Sequence, residues 1–494
     1  MLVHGTRRLC RVGLAAVLVT ALCLLAFVDL PLQLPEVLPD PPPTPGGEPP
    51  GTRSVVAYSW ARRLALDYRP SEECPGNGGS LKKDFPGPFS SSSPEWLETL
   101  GERLFLFSAH FDDRVPAYPN VRVIGVRSEP LDNSIYCTIW YDEGEEVKSV
   151  SMEALSADIW LDQWGGVPES YTGVLITCPM SKSSLIRPLR VSVGSSPCVE
   201  YTSHSLEVTS SFVRERRKPE RQFTLCIKGL DFDEDISKEV AAFVEIHRIL
   251  GASKFHFYVF DVHENVMKVL RLFESSNVVR WINITLPGTL PKERYARRKF
   301  LEEEIWLKRR MELIPYNHCF YENLHQSEYV LPIDIDEAIV PKKRKNWHQL
   351  LQDEKRKLGK SFEDFASYAV RNVYFFDELQ PAGYREKSND LRYLDTFRTA
   401  FVSPEGDSVK SFISTERALT VHNHYALATL DSATRRAHHF HPKDALKHHY
   451  RACDARHLDC EMLMQDVVED KSLLRYVRGI ETRAEMVIAN LTLS

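Results

Sequence analysis

Two carboxylates one residue apart, Asp334 and Asp336, close the apolar run Glu328-Tyr-Val-Leu-Pro-Ile-Asp-Ile-Asp-Glu-Ala-Ile-Val-Pro341. A strand that ends in Asp-x-Asp sets both groups at the mouth of a sheet. Hard oxygen donors of this kind suit Mg²⁺ or Mn²⁺, ions that complete their shells with phosphate oxygens. A divalent ion held there would neutralise a nucleoside diphosphate as it leaves a sugar. Asp-x-Asp alone is a weak signal, because short motifs recur by chance. The elements around it decide the reading.

From Gln222 onward the sequence alternates strand and helix patterns. Phe223–Lys228 reads as a buried strand, and Ile236 to Leu250 as an amphipathic helix closed by Gly251. Phe255–Phe260 is a second strand that ends in Asp261, followed by a helix over Glu264–Glu274. A third strand starts at Val278, a long helix covers Lys292 to Leu313, and Tyr329–Ile333 is the strand that carries Asp334. This order predicts a mostly parallel sheet with helices on both faces. Ligands of such sheets bind at the carboxyl ends of the strands. Lys228, Asp261, Asp334 and Asp336 all project near that edge, which favours a nucleotide-sugar site.

Before Gln222 the pattern differs. Arg103–Ala109, Val121–Val126, Ile135–Tyr141, Val174–Cys178 and Leu189–Val193 are short apolar or alternating runs with no helical stripe between them, which predicts a small β-sandwich over 96–218. Residues 222–494 form the second globular unit. Ahead of both, residues 12–28 carry no charge, Arg7, Arg8 and Arg11 precede them, and acidic residues follow. That asymmetry predicts a cytoplasmic tail over 1–8, a signal-anchor helix over 9–30 and a luminal remainder. The Pro-, Gly- and Ser-rich stretch 31–95 reads as a stem.

Cysteine usage agrees with a lumen. Cys10 and Cys23 lie in or beside the anchor, and Cys74, Cys137, Cys178, Cys198, Cys226, Cys319, Cys453 and Cys460 form an even set without a CxxC pair. Cys453–Cys460 is the simplest local pairing. Asn283-Ile-Thr and Asn490-Leu-Thr are glycosylation sequons. A formal net charge of −6 argues against a nucleic-acid partner. The histidines at 438, 439, 441, 448 and 449 lack a defined ligand spacing and read as an exposed run, and Lys342–Lys345 as a solvated loop.

Several blocks of this chain resemble glycosyltransferase family 92. They are Leu225-Cys-Ile-Lys228, Glu245 to Tyr258, Asn317-His-Cys-Phe-Tyr321, Ile333-Asp-Ile-Asp-Glu-Ala-Ile-Val-Pro341, Ser108-Ala-His-Phe-Asp-Asp-Arg114 and His449-Tyr-Arg451. Ala338 departs from the family, which commonly has an aromatic residue there. The resemblance implies a GT-A-like nucleotide-diphospho-sugar transferase domain in a type II Golgi membrane protein. It further implies inverting, Mn²⁺-dependent transfer of galactose from UDP-galactose to a glycoprotein N-glycan. The expected acceptor is a β-galactose or core fucose, and the expected product a β-1,4 linkage.

On that reading Asp336 holds Mn²⁺ against the two phosphates of UDP, and Asp334 does so directly or through the ribose. Glu337 is a partner behind them or a helix-start cap rather than a ligand. His422 is preferred over His424 as a late metal ligand, and Arg451 meets phosphate in bidentate fashion. Lys228 and Asp261 complete the nucleotide-sugar site. Inverting transfer needs a general base; Asp390, Asp395, Asp407 and Glu416 are unranked candidates. Trp306, Trp347 and Tyr374 are candidate platforms for the acceptor sugar. A homodimer is compatible with the sequence. The competing readings are a different UDP-sugar donor, or an inactive membrane-anchored glycan-binding protein.

Overall fold

A computed structural model describes residues 96–476 with the exception of 117, 132–133, 143–146, 162–163, 166–169, 181–186, 198–204, 210–218, 220, 383–390 and 456–457. The expected tail, anchor and stem, together with Asp390, Asn490, Cys74 and Cys198, lie outside the described residues. No described helix is long and apolar enough to cross a membrane. The described residues belong to one compact unit.

Eight strands come first: β1 (Leu97–Thr99), β2 (Leu104–Asp112), β3 (Asn120–Arg127), β4 (Ile135–Asp142), β5 (Val147–Asp158), β6 (Thr172–Pro179), β7 (Arg187–Gly194) and β8 (Leu206–Thr209). Their order is β1-β2-β3-β6-β5-β4-β7-β8, and a further β2–β8 pairing closes the ring. The expected β-sandwich is therefore corrected to a closed seven-stranded barrel flanked by β1. The cause lies in β2. Its first half pairs with β1, a bulge follows between Leu106 and Ser108, and Ala109 and His110 then pair in parallel with β8. A bulge bends and twists a strand enough to turn a barrel corner.

Alternation along these strands fills two cores at once. Leu104, Leu106, Val121, Val123, Val174 and Ile176 point into the barrel, where Cys137 and Cys178 form a disulfide. Phe107, Ile124, Val126 and Leu175 point out and pack on the rest of the protein.

The remainder begins with β9 (Arg221–Asp231), α1 (Ser237–Leu250), β10 (Lys254–Asp261), α2 (Glu264–Ser275), β11 (Val279–Asn283), α3 (Arg294–Glu303), α4 (Ile305–Glu322), β12 (Ser327–Pro332), β13 (Glu337–Pro341) and α5 (Trp347–Leu358). Then come β14 (Phe365–Val370), β15 (Asn372–Phe376), β16 (Phe397–Thr399), β17 (Lys410–Ser414), β18 (Ala418–Val421), β19 (Ala426–Thr429), β20 (Arg435–His439), β21 (Ala445–Arg451), α6 (Cys460–Met464) and β22 (Val467–Glu469). The long helix expected over Lys292–Leu313 is two helices, broken at Glu304, whose φ of −102° and ψ of 63° are not helical.

The main sheet has the order β11-β10-β9-β12-β17-β14-β20. Its first four strands are parallel, β12–β17 and β17–β14 are antiparallel, and β14–β20 is parallel. The expectation of a mostly parallel, GT-A-like sheet is thus overturned: the sheet is mixed, a smaller sheet β13-β21-β15 stands beside it, and a closed barrel precedes both. Helical crossovers enforce parallel pairing only as far as β12. Beyond Asp334, short strands follow one another with few intervening helices, and antiparallel pairing becomes available.

One face of the main sheet is covered by α1, α2 and α5 around Phe243, Phe255, Phe257 and Trp347. The other is covered by α4 and by the outward face of the barrel. The disulfide Cys226–Cys319 ties β9 to α4, and Cys453–Cys460 closes a short loop after β21 as expected.

Candidate active site

Ile333 is buried at the end of β12, and the chain then turns through Asp334–Asp336 into β13. The turn is fixed locally. The Asp334 amide donates to the Glu337 carboxylate at 3.1 Å, and the Tyr450 amide donates to the Asp336 carbonyl at 2.8 Å. Because β13 pairs with β21, Glu337 stands opposite His449.

Behind this turn lies a buried charge network. The Lys410 ammonium, 1% exposed, sits 3.0 Å from Asp334 Oδ2 and 3.3 Å from Glu337 Oε2. It also donates to the Asn423 side-chain oxygen. Lys447, equally buried, holds Glu337 Oε1 at 2.5 Å. Lys228 lies 3.3 Å from Asp334 Oδ1 and 3.1 Å from Glu312 Oε1. Burial alone would raise both acid pKa values. The ammonium groups outweigh it: Lys228 and Lys410 hold Asp334 well below the usual carboxylate range, and Lys410 and Lys447 bring Glu337 down to about 2. Burial lowers Lys410 in turn, but Asp334 and Glu337 more than offset it and keep the ammonium charged.

Asp336 is placed differently. Its side chain is 34% exposed, and Oδ2 lies 3.3 Å from His449 Nε2. The His449 ring is held by Tyr374, whose ring lies 5.5 Å away at 31°, and by Glu337, 3.8 Å from its Nδ1. A carboxylate oxygen and an imidazole nitrogen thus face each other at the mouth of the sheet. Among the described residues no group of three or more His, Cys, Asp or Glu side chains is arranged to hold a metal. Phosphate oxygens or water would therefore have to complete the shell of any ion bound there.

The other expected site residues are spread around this corner. Asp261, at the end of β10, makes a bidentate pair with Arg294 of α3. Beside it, Asp231 binds Arg297 at 2.7 Å and Arg298 at 2.8 Å, so the carboxyl ends of β9 and β10 carry an Asp–Arg lattice. A hollow lined by Gly229, Asp231, Phe260, Leu286, Lys308 and Glu312 opens there, and Glu312 links it through Lys228 to Asp334. Arg451 ends β21, 3.9 Å from Asp454.

His422 follows β18 and stacks on Trp164 of the barrel segment at 4.4 Å, with His424 and Tyr425 nearby. The contact on Asp336 is made by His449. Asn283 ends β11, half-buried, and the carbonyl of Thr285 in its sequon accepts from Trp96 at 2.9 Å.

Several alternatives resolve into structural roles. Trp347 is fully buried and donates to the Ile339 carbonyl at 2.8 Å. Trp306 packs against Gly165 and beneath Arg309, and Tyr374 stacks on Phe376. Lys342, Lys343 and Arg344 are engaged by Asp470, Asp444 and Asp353. The histidine run disperses: His438 pairs with Glu354 at 2.9 Å, and His448 is buried against Phe375. Only its member His449, in the His-Tyr-Arg block, reaches the acidic turn.

Lys410 and Lys447 escaped sequence reading. Each begins or lies inside a short strand, where a lysine is ordinarily taken as solvent-facing. The one available signal was Glu337, an acid within an apolar strand that required a buried cation.

Residues 221–485, more than half of the chain, match a family model of glycosyltransferases. The matched stretch contains the turn Asp334–Asp336, the lysines behind it and His449, so the class of the protein is glycosyltransferase. The family is glycosyltransferase family 92, and the chain belongs to it. No curated protein matches the chain.

Proposed function

We propose that the chain is a type II Golgi membrane enzyme. It transfers galactose from UDP-galactose, with inversion and with Mn²⁺, to a β-galactose or core fucose of a glycoprotein N-glycan, forming a β-1,4 linkage. Family membership supplies a nucleotide-sugar donor and a glycan acceptor. The family resemblance is the ground for galactose, for the acceptor and for the linkage. The apolar run 12–28, the disulfides and the sequons support a luminal orientation.

One observation carries the mechanistic part. Of the three acids in the turn, Asp334 and Glu337 are paired with buried lysines, whereas Asp336 is open and faces His449. Asp336 and His449 would hold Mn²⁺, which when bound supplies positive charge to the departing diphosphate. Asp334, fixed by Lys228 and Lys410, orients the turn beside the nucleotide. The two ammonium groups add fixed positive charge close to where negative charge develops. Lys228 at Asp334, and Arg451 next to the Tyr450 whose amide meets the Asp336 carbonyl, would meet phosphate oxygens.

A donor screen with the full-length protein in detergent tests this reading. UDP release is followed with Mn²⁺, with EDTA and with Asp336→Asn. Turnover with UDP-galactose that EDTA and the substitution both abolish is expected. Activity in EDTA, or equal activity of the variant, discards the metal assignment; preference for another UDP-sugar discards galactose.

A further inference from the structure

Transfer with inversion requires one carboxylate to accept the proton of the attacking hydroxyl, and the topology separates the late acids by position. Strand β17 runs antiparallel to β12, with Val330 opposite Ile413 and Tyr329 opposite Ser414. The start of β17 therefore lies at the carboxyl end of β12, beside the acidic turn, and Lys410, its first residue, reaches Asp334 there. Residues just before Lys410 must stand at the mouth of the site. Residues after Ser414 must stand at the opposite end of the sheet.

Glu416 falls at that far end, with its side chain 78% exposed beside Arg417. Asp395 is 2% exposed, which closes it to an arriving sugar. Asp407 stands at the mouth, half-buried, in the turn that leads into Lys410.

The Tyr374 ring packs on His449 at 5.5 Å, and His449 faces Asp336. The turn itself is unusual. Gly406 has φ +84° and Ser408 has φ +50°, a left-handed conformation that a residue with a Cβ adopts rarely and at a cost of roughly 1–3 kcal/mol. The Asp407 amide donates to the Pro404 carbonyl at 3.3 Å, and the Ser408 hydroxyl donates to Asp407 Oδ1 at 2.9 Å. Strained backbone of this kind persists where its surroundings enforce it. Here the strained turn carries Asp407, three residues before the Lys410 that reaches Asp334.

We propose that Asp407 is the general base of the transfer, an inference that rests on the glycosyltransferase reading above. Its carboxylate takes the proton from the acceptor hydroxyl. The acceptor oxygen bonds to the anomeric carbon of the donor sugar, the bond from that carbon to the β-phosphate oxygen breaks, and the diphosphate leaves with the electron pair. Ser408, whose hydroxyl donates to Asp407 Oδ1, is a positioning residue that orients Asp407.

The test compares the full-length parent with Asp407→Asn, using UDP-galactose, Mn²⁺ and an N-glycopeptide bearing β-galactose or core fucose. Sugar transfer by the variant should fall about 10²- to 10⁴-fold. UDP affinity, measured by calorimetry, should stay within about twofold. Azide, an anionic acceptor with no proton to lose, should restore turnover to the variant as the glycosyl azide. The inference is overturned if the variant transfers sugar within about threefold of the parent, if UDP affinity falls in step with rate, or if azide gives no rescue. A parent that transfers no sugar removes the parent reading and the base together. An active parent with an unaffected variant removes the base alone.

Discussion

Replacing Lys410 with Met removes a single charge and little volume from the floor of the candidate site. The Lys410 ammonium bridges Asp334 at 3.0 Å and Glu337 at 3.3 Å and is 1% exposed. Glu337 is 2% exposed. Breaking a buried pair by removing one partner costs about 3–5 kcal/mol, because the stranded charge keeps its desolvation penalty. Glu337 retains Lys447 and Asp334 retains Lys228, so the loss belongs at the lower end, about 3 kcal/mol. That is a large part of the roughly 5–15 kcal/mol that separates folded from unfolded domains.

Urea unfolding of the full-length protein, followed by tryptophan fluorescence, measures it. Asp334→Asn and the double variant complete a mutant cycle, and the coupling between the two positions should be about 1–3 kcal/mol. A Lys410→Met variant within about 1 kcal/mol of the parent, with no coupling to Asp334, refutes the view that this ammonium holds the turn.

Arg114 should matter for a different reason. It joins the barrel to the sheet, donating to the Thr415 and Ala418 carbonyls at 2.6 and 2.5 Å while paired with Asp112 at 2.8 Å. Arg114→Met should cost about 3–5 kcal/mol in urea unfolding; a loss below about 1 kcal/mol contradicts that role. Burial holds His110 and His318 down to about 3 from 6.5. A depressed folded-state pKa means the unfolded chain binds the extra protons, so this stability is complete above pH 6.5 and drains as pH falls toward 3. Each histidine should cost about 1.4 kcal/mol at one unit below 6.5, and thermal unfolding across that window should show it; His110→Gln should flatten the slope. Replacing Cys226 and Cys319, which are 93 residues apart, should cost about 4–5 kcal/mol. Replacing Cys453 and Cys460, separated by 7, should cost about half that.

Much of the local structure was legible. The alternation in Arg103–Ala109 and Val121–Val126 marks β2 and β3, and the apolar periodicity before Gly251 marks α1, because side-chain period reports which face is buried. Long-range closure was not. Nothing in the run Leu104–Asp112 says that one strand will pair with β1, β3 and β8, since that depends on a bulge and on distant partners. The break at Glu304 was hidden by strong helix formers on either side. Beyond Asp334 the loss of helical crossovers made strand direction unreadable, and the mixed sheet went unanticipated.

At the site, Asp334, Asp336 and Lys228 are legible as strand-end residues; Lys228 meets Asp334, and Asp336 faces His449. Which histidine faces the acids is not legible in the sequence, because the separations of His422 and His449 from them, less than a hundred residues and more than a hundred, carry no geometric information. The β13–β21 pairing supplies it.

The proposed cation site consists of Asp336 and His449, the open pair of the corner. Electron paramagnetic resonance of free Mn²⁺, titrated with the full-length protein and UDP, measures that pair directly. One Mn²⁺ bound per chain is predicted, with affinity lowered at least about tenfold by Asp336→Asn and by His449→Ala, as a lost ligand would require. Binding unchanged in both variants, or no binding by the parent, contradicts the account.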